Sequence, residues 1–191
     1  MAILALGLGT NLGNRLGNLR QAERAIGEEI GPILRASDAF ETEPWGVTDQ
    51  PHFLNACLCL DIDEGVDPEE LLASLKAIER RMGRKETIRW GARLIDIDIL
   101  LIGDRVYESP ILRIPHLHLP ERTFVLTPLI QILPGWTHPL TGKPLEEMSK
   151  ALKGEPHWSA LIVLSRRRPS FSRLEFRASV PITIGGAVVP K

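Results

Sequence analysis

The stretch LIDIDILLI, Leu94 to Ile102, sets the hardest condition on how this chain can fold. Its isoleucines and leucines read as a buried β-strand, yet Asp96 and Asp98 interrupt the apolar run. Residues two apart on a strand share a face and stand about 6–7 Å apart at Cα. The two carboxylates therefore stand side by side, while Ile95, Ile97 and Ile99 fill the other face. Unpaired carboxylates are costly to bury in an apolar setting. A fold containing this strand has to offer one apolar face and one face where negative charge is compensated.

The remaining patterns supply the partners for such a strand. AILALGLG reads as an opening strand, and TNLGNRLGNLRQAERAIGEEIG as a helix with Leu12, Leu16, Leu19, Ala22 and Ile26 at helical spacing. Thr10 or Asn11 is placed to cap it. ILRASDAF reads as a second strand. FLNACLCLDI reads as a third, with Leu54, Ala56, Leu58, Leu60 and Ile62 on one face. DPEELLASLKAIERRMG is a helix with Asp67 as cap, Pro68 in the first turn and Glu70 completing a capping box. The strand bearing the aspartates follows. The order predicts an α+β fold with a ferredoxin-like βαββαβ core, an antiparallel sheet with helices on one face, and C-terminal additions. The Pro-rich residues 104–159 are expected to decorate that core.

At 191 residues the chain is long enough for one domain with its own core. The formal net charge of −1 gives no overall polyanion-binding signature, so no nucleic-acid partner is expected. The charge is unevenly placed: residues 160–191 carry +5 and the remainder −6. The expected division is a domain over 1–159 and a basic extension over 160–191, lying extended on the core or on a neighbouring subunit. No run is apolar and long enough to span a membrane, and no basic leader opens the chain, so a cytoplasmic protein is expected. Cys57 and Cys59 stand two apart on one strand face, a poor geometry for a mutual disulfide, and read as small buried hydrophobes.

Several motifs could carry chemistry. GLGTNLG resembles a dinucleotide fingerprint but fails it, because Leu12 stands where the third glycine belongs. A tight strand-to-helix turn and a site-lining loop both explain these glycines. Asp96 and Asp98 also have two readings. One is a structural ion pair with Arg89 or Arg93. The other is a shelf for Mg²⁺, a hard cation usually held by one or two carboxylates, waters and substrate phosphates. Arg84, Lys85, Arg89 and Arg93 lie just upstream, and a metal among arginines is what phosphoryl-type transfer needs. Trp45, Phe53 and Asn55 surround a Pro/Gly loop and suit either loop packing or a flat slot for a planar ring. His116 and His118 lack a third ligand at zinc spacing.

Taken together, RWGARLIDIDILLIG, GLGTNLGNR, ETEPWGVTDQPHFLNA, ERRMGR and IPHLHLPERTFVLTPL closely resemble the signatures of the 6-hydroxymethyl-7,8-dihydropterin pyrophosphokinases. The likeness runs in order over roughly residues 3 to 145. It implies transfer of the β,γ-pyrophosphoryl unit of ATP to the hydroxymethyl oxygen of the pterin, with release of AMP, in folate biosynthesis. It implies two Mg²⁺ ions on Asp96 and Asp98, and phosphate-clamping, catalytic roles for Arg84 and Arg93. Glu79, Trp90, Ile99, His116 and Arg122 fall on ATP-site positions. Thr42, Trp45, Phe53, Asn55 and Phe124 fall on pterin-site positions, with Phe53 and Phe124 on the two ring faces and Asn55 on its edge. Ala92, Glu86 and Glu43 depart from the family pattern, and nothing in that pattern accounts for residues 160–191. Another Mg²⁺-dependent nucleotide phosphotransferase and a non-catalytic ferredoxin-like binding module are the competing readings. An RNA-binding sheet, however, displays aromatic and basic residues rather than paired aspartates.

Overall fold

The computed structural model describes residues 1–44, 46, 48–84 and 91–152, together with the backbone of 162–164. Trp45, Glu86, Arg89 and Trp90 lie outside the described residues, as does most of the 160–191 extension.

Strand β1 (Ala2–Thr10) is central, antiparallel to β4 (Phe53–Ile62) on one side and to β5 (Asp96–Ile102) on the other. Beyond β4 come β2 (Ile33–Ala36) and β3 (Ala39–Thr42), both antiparallel to it. These last two replace the single strand that ILRASDAF predicts. At the break the Ser37 hydroxyl accepts from the Cys57 amide at 2.8 Å, and the Asp38 amide donates to Gln131 Oε1 at 2.9 Å. Side-chain bonding of this kind competes with the ladder and ends it. Helix α1 (Arg15–Glu29) joins β1 to β2, and α2 (Pro68–Arg81) joins β4 to β5.

The α1 cap is Asn14, whose side chain accepts from the Gly17 amide, rather than Thr10 or Asn11. The first of these is still in β1, and Asn11 is bonded elsewhere. Asp67 does cap α2, accepting from the amides of Glu69 and Glu70. Leu4, Leu6 and Leu8 of β1, the even-numbered Leu54–Ile62 set of β4, and Ile95, Ile97 and Ile99 pack with Leu19, Ile26, Leu75 and Ile78 of these helices into one core.

A second core lies on the other face of the sheet. There Cys57, Cys59, Leu100 and Leu101 meet Leu126 and Leu129 of α3 (Thr123–Ile132) and Leu145 and Met148 of α4 (Leu145–Ala151). Helices thus cover both faces, and α3 covers only part of the second. The uncovered part is where Asp96 and Asp98 emerge. A register shift between Ala5 and Leu6 lets Leu100 and Leu101 both join this second core. A two-stranded hairpin, β6 (Tyr107–Glu108) and β7 (Arg113–Ile114), follows β5. Strand β8 (Ile162–Leu164) pairs antiparallel with β3 at the sheet edge.

Candidate active site

The floor of the cleft is two glycines. Gly9 lies between Asn55 on β4 and Asp96 on β5, and Gly7 between Cys57 and Asp98. Adjacent strands are about 4.8 Å apart, so Asn55 and Asp96 face each other across about 10 Å of bare backbone. A Cβ on Gly9 would come within 3.2 Å of Asn55 Oδ1, and one on Gly7 within 3.3 Å of the Leu100 side chain. Gly7 and Gly9 of GLGTNLG therefore sit in the strand and keep the cleft open, while Gly13, with φ +64°, makes the strand-to-helix turn. That cleft has a volume of about 360 Å³, and its lining includes Thr42, Phe53, Asn55, Lys76, Arg84, Arg93, Asp96, Asp98, His116, Arg122 and Phe124.

The two aspartates have different surroundings. Asp96 accepts from both Arg84 and Arg93. Burial acts to raise its pKa, but Arg93, Lys76 and Arg84 outweigh burial and hold the carboxyl below the usual range. Among the described residues, the ion-pair contact of Asp98 is Lys76, at 3.9 Å. Burial, reinforced by the neighbouring Asp96 carboxylate, pushes Asp98 up to about 6. Its side chain is nevertheless 36% exposed, which leaves it open to an incoming cation. The ion-pair reading holds for Asp96, which pairs with Arg93 and also with Arg84, while the partly exposed Asp98 lines the cleft.

Glu79 and Ile99 stand behind this face. The Ile99 side chain is 2% exposed and points into the helix-covered core, so only its backbone is within reach of the cleft. Glu79 is buried on α2, where Oε1 accepts from Lys76 Nζ at 2.8 Å and from the Ile97 amide at 2.6 Å. Its Oε2 accepts from Arg84 at 2.5 Å. Both oxygens being engaged by the protein, Glu79 orients cations rather than facing the cleft. His116 is pulled down to about 4, by burial first and then by Arg122 and His118, so it is neutral near pH 7. Its Nδ1 accepts from the His118 amide at 3.2 Å, which leaves Nε2 carrying the proton as a donor. The Arg122 guanidinium lies 5.8 Å from the centre of the Phe124 ring.

On the opposite side, Asn55 Nδ2 donates to Thr42 Oγ1 at 2.7 Å. The pair then offers the Asn55 carbonyl as acceptor and the Thr42 hydroxyl as donor, beside the half-buried Phe53 and Phe124.

Two residues of this machinery carry no functional expectation from the sequence, where Asn11 figures only as a candidate helix cap. Lys76 lines the cleft, one helical turn before Glu79. Asn11 joins both walls: its Oδ1 accepts from the Arg93 amide at 2.8 Å, and its Nδ2 donates to Gln50 Oε1 and the Pro51 carbonyl, each at 3.0 Å. The one available signal for Lys76 was its i,i+3 spacing from Glu79. Asn11 had none, because its partners are 39 to 82 residues away.

Comparison with known proteins gives the chain a family. The family model for 7,8-dihydro-6-hydroxymethylpterin-pyrophosphokinase (HPPK) matches residues 5–134. A 2-amino-4-hydroxy-6-hydroxymethyldihydropteridine pyrophosphokinase of Aquifex aeolicus is 41% identical over 147 residues, covering 77% of this chain and 90% of the relative. A mitochondrial folate synthesis bifunctional protein of Arabidopsis thaliana is 47% identical over 133 residues, covering 68% of this chain. The match spans only 23% of that longer protein. Among solved structures, Plasmodium falciparum HPPK-DHPS superposes with a TM-score of 0.64 at 17% identity, over 78% of this chain and 43% of that one, a likeness of fold.

Proposed function

The chain belongs to the 7,8-dihydro-6-hydroxymethylpterin-pyrophosphokinase family and is an ATP-dependent pyrophosphokinase of folate synthesis, and we propose that the Gly7–Gly9 cleft is where it joins ATP to the pterin. The observation that carries this reading is the line Asn55–Gly9–Asp96, a ring-edge reader and a carboxylate shelf on neighbouring strands with no side chain between them. The portion from β1 through β5 is read as a ferredoxin-like βαββαβ unit whose second strand is broken into β2 and β3, with α3, α4 and β8 added to it.

In this reading the pterin lies between Phe53 and Phe124, its polar edge against Asn55 and Thr42. Its hydroxymethyl oxygen attacks the β-phosphorus of ATP. The bond from that phosphorus to the bridging oxygen of the α-phosphate breaks, AMP leaves, and the hydroxyl proton is lost. Arg84 and Arg93 sit where charge develops on the transferring phosphates, and preorganised guanidinium groups there lower the barrier without having to move. His116 Nε2 and Arg122 supply further donors along the polyphosphate. Asn11 holds the Arg93 backbone and so fixes where that guanidinium starts from. Trp45 and Trp90 are assigned to the pterin and ATP sides by resemblance alone. Residues 160–191, outside the matched span, are read as an extension not needed for the chemistry.

Asp96 and Asp98 suit Mg²⁺. The donors are hard oxygens, and among the described residues no group of three His, Cys, Asp or Glu forms a protein cage for a metal. A shelf of two carboxylates fits an ion that completes its shell with water and phosphate. When bound there, Mg²⁺ supplies charge neutralisation and in-line alignment of the phosphates; two ions are proposed.

The test is AMP formation from MgATP by the purified chain, with and without 6-hydroxymethyl-7,8-dihydropterin. AMP is expected only when the pterin is present, in equal amount to pterin diphosphate. ADP as product, or AMP release indifferent to the pterin, overturns the assignment.

A further inference from the structure

We propose that Lys76 is a built-in cation of the carboxylate shelf, one that makes a free divalent ion bind poorly and so makes metal and nucleotide bind as a pair. The inference rests on the pyrophosphokinase reading and concerns how its metal arrives. Lys76 Nζ is 3.7 Å from Asp96 Oδ1 and 3.9 Å from Asp98 Oδ1, between the two proposed metal ligands. It is held there by others. Two of its three N–H bonds go to Glu79 Oε1 at 2.8 Å and to the Ile97 carbonyl at 3.0 Å. Neither acceptor faces the cleft, so the ammonium keeps its place whatever the aspartates bind. The third proton is left for the shelf.

Charge decides the consequence. Asp96, Asp98 and Glu79 stand against Lys76, Arg84 and Arg93, and Arg122 acts on both aspartates as well, so the carboxylates are fully compensated without ligand. A divalent ion entering alone would find its carboxylates already compensated, with an ammonium 3.7 Å from one and 3.9 Å from the other. A polyphosphate entering alone brings excess negative charge. Two such ions and a tetra-anionic triphosphate arriving together leave the balance unchanged, and the same ammonium becomes a phosphate contact. Lys76 is thus a positioning residue whose effect on metal is opposite in sign without and with nucleotide. A tether of α2 to β5 could not produce that reversal.

The experiment titrates the full chain with Mn²⁺, following free Mn²⁺ by electron paramagnetic resonance, with and without a non-hydrolysable ATP analogue. Without nucleotide, Lys76→Met should bind Mn²⁺ about tenfold more tightly than wild type, because a like charge next to the ligands is gone. Lys76→Arg, which keeps the charge, should bind it as weakly as wild type. With the analogue present, the advantage of Lys76→Met should disappear or reverse. Thermal melting reports whether each variant is folded, and Lys76→Gln replaces Lys76→Met if the latter is not. Equal Mn²⁺ affinity of wild type and the neutral variant without nucleotide overturns the proposal while leaving the metal shelf standing. Tight binding by Lys76→Arg as well also overturns it, since packing rather than charge would then be the cause. Failure of every protein to bind Mn²⁺ even with the analogue overturns the shelf itself, and this inference with it.

Discussion

Along β1 and β5, alternate residues answer to different demands. Leu4, Leu6 and Leu8 with Ile95, Ile97 and Ile99 are buried against α1 and α2, each surrounded by other aliphatic side chains. One residue away in each case, Gly7 and Gly9 with Asp96 and Asp98 line the cleft. The first face is held by apolar area and volume, which tolerate exchange among similar side chains. The second face depends on individual atoms: a missing Cβ, a carboxylate with two arginines, a carboxylate with one lysine. Because the faces alternate residue by residue, stability and activity should separate between neighbours in the sequence.

The largest expected effect tests that separation directly. Asp98→Ala should lower kcat/KM at least 1,000-fold, about 4 kcal/mol of transition-state stabilisation, while the protein stays folded. Asp96→Ala should lose activity to a similar degree but also lose stability, because Arg84 and Arg93 would be left beside each other without their shared partner. Repulsion between the aspartates alone would suggest that either removal is harmless to the fold. The asymmetry of their partners says otherwise for Asp96. Steady-state kinetics and urea melts of the two variants check both halves. Equal stabilities would mean that the arginines are supported elsewhere.

On the other face, Ile97→Ala should cost about 2–5 kcal/mol of stability through the cavity it leaves. Activity per folded molecule should fall no more than a few-fold, since the side chain is 0% exposed and points away from the cleft. A large loss of kcat in a still-folded Ile97→Ala protein would show that the two faces are mechanically coupled through β5.

Much of the helix-covered face was legible because it depends on local periodicity. The strand FLNACLCLDI, the α2 helix with its Asp67 cap, and the same-face aspartates all follow from spacing within one element. What escaped depends on partners far along the chain. The cap of α1 moved to Asn14 because Asn11 is taken by Arg93, Gln50 and Pro51. The break at Ser37 and Asp38 required Cys57 and Gln131 to be in place. Ile99 and Glu79 belong to the family pattern, yet the pattern carries no information on which way a side chain points. Phe124 could be placed near the ring, but that its helix covers the second sheet face follows only from the tertiary packing.

A smaller effect sharpens the role of the glycine floor. Gly9→Ala adds one methyl group, and its Cβ would sit 3.2 Å from Asn55 Oδ1 and 3.9 Å from the Phe53 ring. Asn55 would have to shift by a few tenths of an ångström, which would disturb its proposed hydrogen bond to the pterin more than any contact with ATP. The KM for the pterin should rise about tenfold, or about 1.4 kcal/mol, with nucleotide affinity nearly unchanged. If nucleotide affinity falls by the same factor, Gly9 serves the sheet as a whole rather than the acceptor side.

The smallest effect is in the pH dependence of stability, where the two aspartates should act in opposite senses. Asp98 is raised from 3.8 to about 6 on folding, by burial first and then by Asp96. The folded protein therefore binds that proton more tightly than the unfolded chain does. Its contribution to stability is full below about pH 4 and is lost as pH rises through about 6. Asn at this position does not titrate, so Asp98→Asn should gain on wild type between those values and keep a constant advantage above them. With 36% of the side chain exposed, solvent screening holds that advantage to about 1 kcal/mol. Asp96 is lowered, with Arg93, Lys76 and Arg84 overcoming its burial, so its stabilisation is present above the ordinary carboxylate range and lost as pH falls below it. Asp96→Asn should accordingly be less stable than wild type at neutral pH, with the deficit closing in acid. Thermal melts of the three proteins from pH 3 to pH 8 without metal decide the matter. Parallel curves for the two variants would mean that the carboxylates share one environment, and the distinction between a paired Asp96 and an open Asp98 would fall.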